Sequence, residues 1–149
     1  MCTSGRTYAK TLSDLRRYFL LPLRTDCLYS KKPTITEDQL DDILIVDTLE
    51  TLHVIHQQLL ADLEEVFRSD TFDRVGRVFL THYRRLPDPY LRYLVGYDKS
   101  AGVFQTLTRE SQEFCILLKR CETSIPGATF GTSLNLQSYL IQPCQRLPR

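Results

Sequence analysis

The chain has 149 residues, a length that suits one domain, and 42% of them are hydrophobic while 25% are charged. This balance is typical of a folded globular protein and excludes disorder for most of the chain. The apolar stretches are too short to span a membrane, and the start of the chain lacks the pattern of a secretory signal. Five cysteines without a Cys-x-x-Cys pair indicate reduced thiols, so we expect a cytoplasmic protein.

Charge is distributed unevenly along the chain, although the net charge is only +1. Residues 36–65 carry no Lys or Arg, and their nine acids are Glu37, Asp38, Asp41, Asp42, Asp47, Glu50, Asp62, Glu64 and Glu65. We interpret this segment as a solvated helix face beside basic neighbours, with a docking surface for a basic partner as the alternative. No dense basic patch occurs elsewhere, so we expect no nucleic-acid binding.

The first predicted element is an amphipathic helix from about residue 5 to residue 21. Its apolar residues recur at three-to-four spacing and are Tyr8, Leu12, Leu15, Phe19 and Leu23. We expect the helix to end near Pro22, because proline lacks the backbone donor that a helix interior needs. Residues 24–35 are then predicted to form a loop.

Three signals together predict the start of a second helix. Thr36 can cap it, Gln39 stands three residues later as the capping-box partner, and Ile35 and Leu40 can form a hydrophobic staple. An apolar stripe then continues from Ile43 for about seven turns, with a break expected near residues 46–49.

A third helical pattern follows, with Asp70 or Thr71 as its predicted cap. The residues expected on its apolar face are Phe72, Val75, Val78, Phe79 and Tyr83. Pro87 and Pro89 should interrupt the pattern, since each removes a backbone donor, and helix should resume near Tyr90.

Another helix is predicted over about residues 100–120, followed by a loop over residues 123–132. Ser133 is expected to cap the final helix, which Pro143 and Pro148 should disturb. Strand signals are nearly absent, so the sequence predicts an all-α helical bundle without internal repeats.

No group of residues supports a metal or catalytic site. Glu50 and His53 match a Glu-x-x-His ligand pair, and His56 follows one turn later, but a di-iron bundle needs a second copy that is absent. No nucleophile, kinase motif or phosphate loop emerges, so we expect no catalytic residues, no metal and no cofactor. Tyr18 with Phe19, and Tyr90 with Tyr93, are interpreted as core packing, with an interface as the alternative. Function is therefore expected in a surface.

The closing run carries the most specific signal of the chain. It reads Leu-x-Leu-x-Ser-Tyr-Leu-Ile-x-Pro-x-Gln-Arg-Leu-x-Arg over residues 134–149 and resembles the third conserved region of Dbl-homology domains, the exchange factors for Rho-family GTPases. Tyr8 with Leu12 is similar to the first conserved region, and residues 52–63 with His56 are similar to the second. The resemblance extends over essentially the whole chain, residues 1–149.

The resemblance implies an elongated all-α bundle of the Dbl-homology type. It also implies an exchange factor that binds the switch regions of a Rho-family small GTPase and promotes GDP release, without making or breaking bonds. An enzyme in the bond-making sense is therefore not expected. The alternative is a non-catalytic helical module that binds a GTPase or another partner without promoting exchange.

The resemblance assigns GTPase binding to four residues. Tyr8 belongs to the first conserved region, Ile141 would make an apolar contact, and Gln145 and Arg149 would contact the second switch. Arg146 is expected to stabilise the bundle instead. Where the family has an acidic residue, three positions before the conserved tyrosine, this chain has Gly5.

The final helix begins but is not completed within the sequence. We therefore expect a partial Dbl-homology domain over residues 1–149, truncated before the last long helix of the family fold, which carries an asparagine that also touches the GTPase. Recruitment to membrane or cytoskeleton would then belong to regions outside this chain.

Overall fold

The computed structural model describes residues 2–127 and 135–146, and every regular element within them is helical, which confirms the all-α prediction. The elements are α1 (Cys2–Leu15), a π-helical segment (Arg16–Leu20), α2 (Leu21–Tyr29), α3 (Glu37–Leu44), α4 (Val46–Arg68), a 3₁₀ turn (Phe72–Arg74), α5 (Val75–Tyr83), α6 (Pro87–Glu110), α7 (Gln112–Thr123), α8 (Leu136–Leu140) and α9 (Gln142–Arg146). None of these helices has both the length and the apolar character that crossing a bilayer requires.

The core lies where α1 packs on α4, and where α3 and α4 pack on α6. Its largest fully buried side chains include Leu12, Phe19, Leu49, Tyr93 and Phe114. The predicted core positions of Phe19, Tyr90 and Tyr93 are confirmed, while Tyr18 is partly buried against the same cluster. Burial of each large apolar side chain contributes about 1.5–3 kcal/mol, so these contacts dominate the stability of the bundle.

The first helix does not end at Pro22. The backbone widens into a π-helix over Arg16–Leu20, and the Leu21 N–H donates to the Arg16 carbonyl five residues earlier. Pro22 therefore lies in the first turn of α2, where a helix tolerates a residue without an N–H. The prediction of a loop over residues 24–35 is wrong for residues 24–29, which belong to α2 and continue the helix to Tyr29.

The predicted start of the second helix is confirmed. The Gln39 N–H donates to the Thr36 hydroxyl oxygen at 3.1 Å, and the Thr36 N–H donates to the Gln39 side-chain oxygen at 3.0 Å. Both members of the predicted staple, Ile35 and Leu40, are buried. This capping box satisfies two donors that would otherwise lack helical partners.

The expected break in the long apolar stripe falls at Ile45, one residue before the predicted range. Ile45 has a positive φ of 50°, which is strained for a β-branched residue. The Ser100 hydroxyl donates to the Ile43 carbonyl and holds the backbone beside the break. Gly96 leaves room for the Ile45 side chain, which would lie 3.1 Å from a Cβ at that position.

The predicted interruption before Pro87 is confirmed, since α5 ends at Tyr83 and α6 begins at Pro87. Pro89 does not interrupt the helix, which resumes three residues before the predicted Tyr90. Neither predicted cap is correct, because Thr71 makes no capping hydrogen bond, Asp70 has a positive φ of 54°, and α5 begins only after Arg74. Of the predicted apolar face, Phe72 and Tyr83 are exposed. His82 is buried instead, with its Nε2 2.6 Å from an Asp62 carboxylate oxygen in α4.

The predicted helix over residues 100–120 has wrong boundaries. Helix α6 continues without interruption from Pro87 to Glu110, and the break falls at Ser111. Ser111 has extended backbone angles, and its hydroxyl accepts a hydrogen bond from the Phe114 N–H at 3.2 Å. It is therefore the N-cap of α7, a role that its residue type favours.

The final helical segment is divided in two, as Pro143 predicted. Helix α8 ends at Leu140, Ile141 forms a turn, and α9 begins at Gln142. The Asn135 side chain caps α8 by accepting a hydrogen bond from the Ser138 N–H at 2.9 Å. The predicted cap at Ser133 and the predicted effect of Pro148 lie outside the described residues.

Basic residues from both flanks reach the acidic segment 36–65. Arg6 pairs with Glu64 at 3.2 Å, Arg16 with Glu50 at 2.9 Å, and Lys99 with Asp42 at 2.7 Å. These pairs support the interpretation of a solvated helix face packed beside basic neighbours. Exposed pairs of this kind contribute little to stability individually.

Two glycines of α6 provide a matched test of the packing at Ile45. Gly102→Ala should stabilise the fold by about 0.5–1 kcal/mol, because nothing lies within 4 Å of the added Cβ and alanine favours a helix. Gly96→Ala should destabilise it by about 1 kcal/mol, because its Cβ presses on Ile45. Urea unfolding of both variants measures the difference, and equal stabilisation by the two substitutions would contradict the close contact between position 96 and Ile45.

Candidate functional site

The closing segment of α8 and α9 is held against the first helix and α6. Helix α8 packs on α1, and α9 packs on α6. The Tyr93 hydroxyl donates to the Leu140 carbonyl at 2.6 Å, and the Tyr139 and Phe19 rings lie 5.6 Å apart between centroids. The carbonyl at the end of α8 thus has a buried partner in α6.

Three of the four predicted site residues lie within the described chain. Tyr8 is buried in α1 and only 5% exposed, Ile141 is half-buried, and Gln145 is exposed on α9. The Gln145 N–H donates to the Ile141 carbonyl at 3.1 Å, so these two residues stand one turn apart on the same side of the segment. Arg149 lies outside the described residues.

Tyr8 belongs to a cluster of polar aromatic side chains beneath this surface. The Tyr90 hydroxyl donates to the Tyr8 hydroxyl at 3.0 Å, and His56 Nε2 lies 2.8 Å from the Tyr90 hydroxyl. The Tyr8 and His56 rings also meet edge to face, 4.8 Å apart between centroids. These contacts join α1, α4 and α6, and we call His56, Tyr90 and Tyr8 the hydroxyl chain.

Arg146 connects the hydroxyl chain to α9. Its guanidinium carbon lies 5.2 Å from the centroid of the Tyr8 ring, within the range of a cation–π interaction. The structure therefore brings Tyr8 next to the segment that carries Ile141 and Gln145, although the two are far apart in sequence. It also supports the expectation that Arg146 stabilises the bundle.

Burial keeps the hydroxyl chain neutral. Loss of solvation is the largest cause that raises the pKa of Tyr8 and of Tyr90 above the ordinary value of a tyrosine. It also lowers the pKa of His56 to about 4, and the charge of Arg146 acts in the same direction. All three side chains are uncharged at neutral pH, which suits neutral hydrogen bonding beneath a cationic guanidinium.

Gly5 lies on α1, half-buried and one turn before Tyr8. Nothing lies within 4 Å of a Cβ built at this position, so the first carbon of a side chain meets no obstacle there. The neighbouring Arg6 pairs with Glu64 of α4 at 3.2 Å. A carboxylate at position 5 would thus extend from an open part of α1.

The candidate metal ligands have other partners. Glu50 pairs with Arg16 at 2.9 Å, His53 Nε2 lies 3.1 Å from the Ser13 hydroxyl, and His56 bonds with Tyr90. Among residues 2–127 and 135–146, no three His, Cys, Asp or Glu side chains form a group that could hold a metal ion. These residues link helices to one another.

Sequence reasoning missed the roles of Tyr90 and His56 beneath the site. Tyr90 was interpreted as core packing, with an interface as the alternative, and His56 was considered only as a metal ligand and as part of the second conserved region. Periodicity shows which face of a helix is buried but not which side chain it meets. A histidine on an otherwise apolar stripe is the signal that could have indicated a buried polar contact, since such a group needs a hydrogen-bonding partner.

Comparison with known proteins identifies the family. A family model described as a RhoGEF domain matches residues 1–149. The chain belongs to the RhoGEF family. Its relatives include "Rac guanine nucleotide exchange factor B" of Dictyostelium discoideum, which is 25% identical over 169 aligned positions covering 97% of this chain. The chain spans 14% of the length of that relative. No solved structure gives a significant match.

The depressed pKa of His56 predicts a pH-dependent stability for this RhoGEF chain. Below its ordinary pKa of 6.5 the imidazole of the unfolded chain takes up a proton, whereas the folded form resists protonation until about pH 4. Stability contributed by the neutral imidazole is thus present above pH 6.5 and lost as the pH falls. The cost reaches about 3 kcal/mol near pH 4.

His56→Gln separates this effect from the titration of carboxylates, because glutamine can still bond with Tyr90 but does not titrate in this range. Urea unfolding of both proteins at several pH values gives the comparison. The free energy of unfolding of the wild type should fall relative to that of the variant by about 3 kcal/mol between neutral pH and pH 4. If the difference in free energy of unfolding between the two proteins does not change with pH, the pKa of His56 is the same in the folded and unfolded forms.

Proposed function

We propose that this chain is a guanine-nucleotide exchange factor for a Rho-family small GTPase. The observation that carries the proposal is the surface formed by Ile141 and Gln145, one turn apart and supported through Arg146 by the buried Tyr8. Membership of the RhoGEF family supplies the class of partner. The Dictyostelium relative is titled as acting on Rac, so a Rac-type GTPase is the first partner to test.

The side chains of this surface are suited to binding a peptide backbone. Ile141 provides an apolar contact, and the exposed amide of Gln145 can both donate and accept hydrogen bonds. Arg149 is proposed as a third contact, in which a guanidinium would bind a carboxylate or backbone carbonyls of the GTPase. Tyr8 is proposed to contribute through its buried position beneath α9.

Exchange by such a surface needs no bond-making chemistry. A partner that binds the nucleotide-free GTPase more tightly than the loaded form shifts the equilibrium towards nucleotide release, and the coupling free energy is shared by both ligands. The side chains of this surface therefore only have to bind the switch regions in the conformation that lacks nucleotide. GTP then enters by mass action.

The exposed amide of Gln145 provides a direct test. Gln145→Ala should lower the rate of release of a fluorescent GDP analogue from a Rac-type GTPase about tenfold, because the bound switch segment is left with unpaired hydrogen-bonding groups. Gln105→Ala, at an exposed position in the C-terminal part of α6, is the matched control and should leave the rate unchanged. Equal rates for Gln145→Ala and the wild type would contradict the proposed contact.

Gly5 favours the second candidate function, a module that binds a GTPase without promoting release. An acidic residue at this position would accept hydrogen bonds from the first switch in the family pattern, and glycine offers no side chain. Binding of nucleotide-free GTPase without any acceleration of release would identify this candidate, whereas acceleration above the spontaneous rate supports exchange.

The open position at Gly5 makes the missing carboxylate testable. Gly5→Glu should raise the rate of GDP release about tenfold, because a charge-assisted hydrogen bond is added at a position where a Cβ meets no neighbouring atom. Gly5→Gln has nearly the same size without the charge and should recover only a small part of the gain. If Gln and Glu have equal effects, the charge of the carboxylate plays no part.

We propose a cytoplasmic location for this activity. Cys27, Cys115, Cys121 and Cys144 are unpaired in the described part of the chain, and free thiols are typical of a reducing compartment. Burial raises the pKa of Cys121 to about 11, which keeps this thiol protonated and unreactive at neutral pH.

A further inference from the structure

The hydroxyl chain crosses the bundle directly beneath α9. His56 lies in α4, Tyr90 in α6 and Tyr8 in α1, and the contacts between them are 2.8 Å and 3.0 Å long. Tyr8 and Tyr90 are each 5% exposed. The hydroxyl chain ends at the Tyr8 ring, whose face is covered by the guanidinium of Arg146.

Helix α9 depends on such contacts for its orientation. It has only five residues, Gln142–Arg146, and a helix of that length is not stable by itself in water. Pro143 is buried in the bundle, and Arg146 lies over Tyr8 at the other end of the helix. The burial of Pro143 and the contact of Arg146 with Tyr8 therefore together set the rotation of α9 about its axis.

Gln145 directly precedes Arg146 in the chain. Neighbouring residues of a helix point about 100° apart, so a fixed direction for Arg146 fixes the direction of Gln145 as well. A shift of the Tyr8 ring would move Arg146, rotate α9 and displace the Gln145 amide. Hydrogen bonds weaken steeply with misalignment, so a small rotation is enough to weaken the proposed hydrogen bonds between Gln145 and the GTPase.

We propose that Tyr90 is a positioning residue for nucleotide exchange, whose hydroxyl holds the Tyr8 ring beneath Arg146 and thereby aims Gln145 at the GTPase. This inference rests on the proposed function. Tyr90 itself is buried and does not contact the GTPase in this arrangement. Its hydroxyl is the central member of the hydroxyl chain, because it bonds with both His56 and Tyr8.

Tyr90→Phe removes that hydroxyl and keeps the ring. The Tyr8 hydroxyl and His56 Nε2 then lose their shared partner in a buried site, and Tyr8 is driven to seek a new hydrogen bond. Ser100→Ala is the matched control, because it removes another buried hydroxyl from the same helix, one that bonds with the Ile43 carbonyl far from α9 in sequence. Urea unfolding of both variants shows whether their losses of stability are similar.

Two measurements on the full chain test the inference. The first is hydrogen–deuterium exchange of the peptide that contains Gln142–Arg146, where the backbone N–H of Gln145 donates to the Ile141 carbonyl. The second is release of a fluorescent GDP analogue from a Rac-type GTPase, measured as a function of the concentration of this protein. This titration separates the maximal rate from the concentration that gives half of it.

Tyr90→Phe should increase deuterium uptake in the α9 peptide and lower the maximal release rate about tenfold, while Ser100→Ala changes neither. Unchanged uptake with Tyr90→Phe would overturn the inference, and so would a looser α9 that still releases GDP at the wild-type maximal rate. If Ser100→Ala raises deuterium uptake and lowers the maximal release rate as much as Tyr90→Phe does, the effect is general destabilisation. That result would also overturn the inference. A wild-type chain that releases no GDP would instead contradict the proposed function, and deuterium uptake then still decides whether Tyr90 positions α9.

Discussion

The docking of α8 and α9 is the constraint on which the proposed surface depends. Each of these helices has five residues, too few to hold a helical conformation without tertiary contacts. The hydrogen bond from Tyr93 to the Leu140 carbonyl and the contact of Arg146 with Tyr8 tie them to α6 and α1. The rest of the bundle can be understood as a scaffold that places these tyrosines, and through them Gln145, in one orientation.

Local signals in the sequence predicted the parts of the fold that depend on local physics. Thr36 and Gln39 form their capping box because both partners lie within one turn, and Pro87 begins a helix because its φ suits the first position. The break at Pro22 was predicted by the same reasoning and is wrong, since the π-helical segment moves the proline to the first turn of α2. That adjustment depends on tertiary packing, which helical periodicity does not contain.

The candidate site was predicted only in part for a similar reason. The resemblance assigned Ile141, Gln145 and Tyr8 to one site, and the structure brings their segments together. The contacts of Tyr90 with Tyr8 and His56 join residues up to 82 positions apart, and no local pattern shows such a pairing. The proposed effect of Gly5 on activity also depends on a partner that the chain itself does not contain.

The π-helical segment has a consequence for the geometry of the whole first helix. A π-turn adds one residue relative to a regular helix, which changes the angular phase of everything beyond it by about 100°. One continuous rod can therefore present one side to α4 and α8 before the segment and a differently oriented side to α3 after it. Removal of a single residue between Arg16 and Leu20 would restore a regular helix and set these two sides out of register. Tyr8 precedes the segment and Leu23 follows it, and both are buried in the same core. The inserted residue thus adjusts the two halves of one helix to different neighbours.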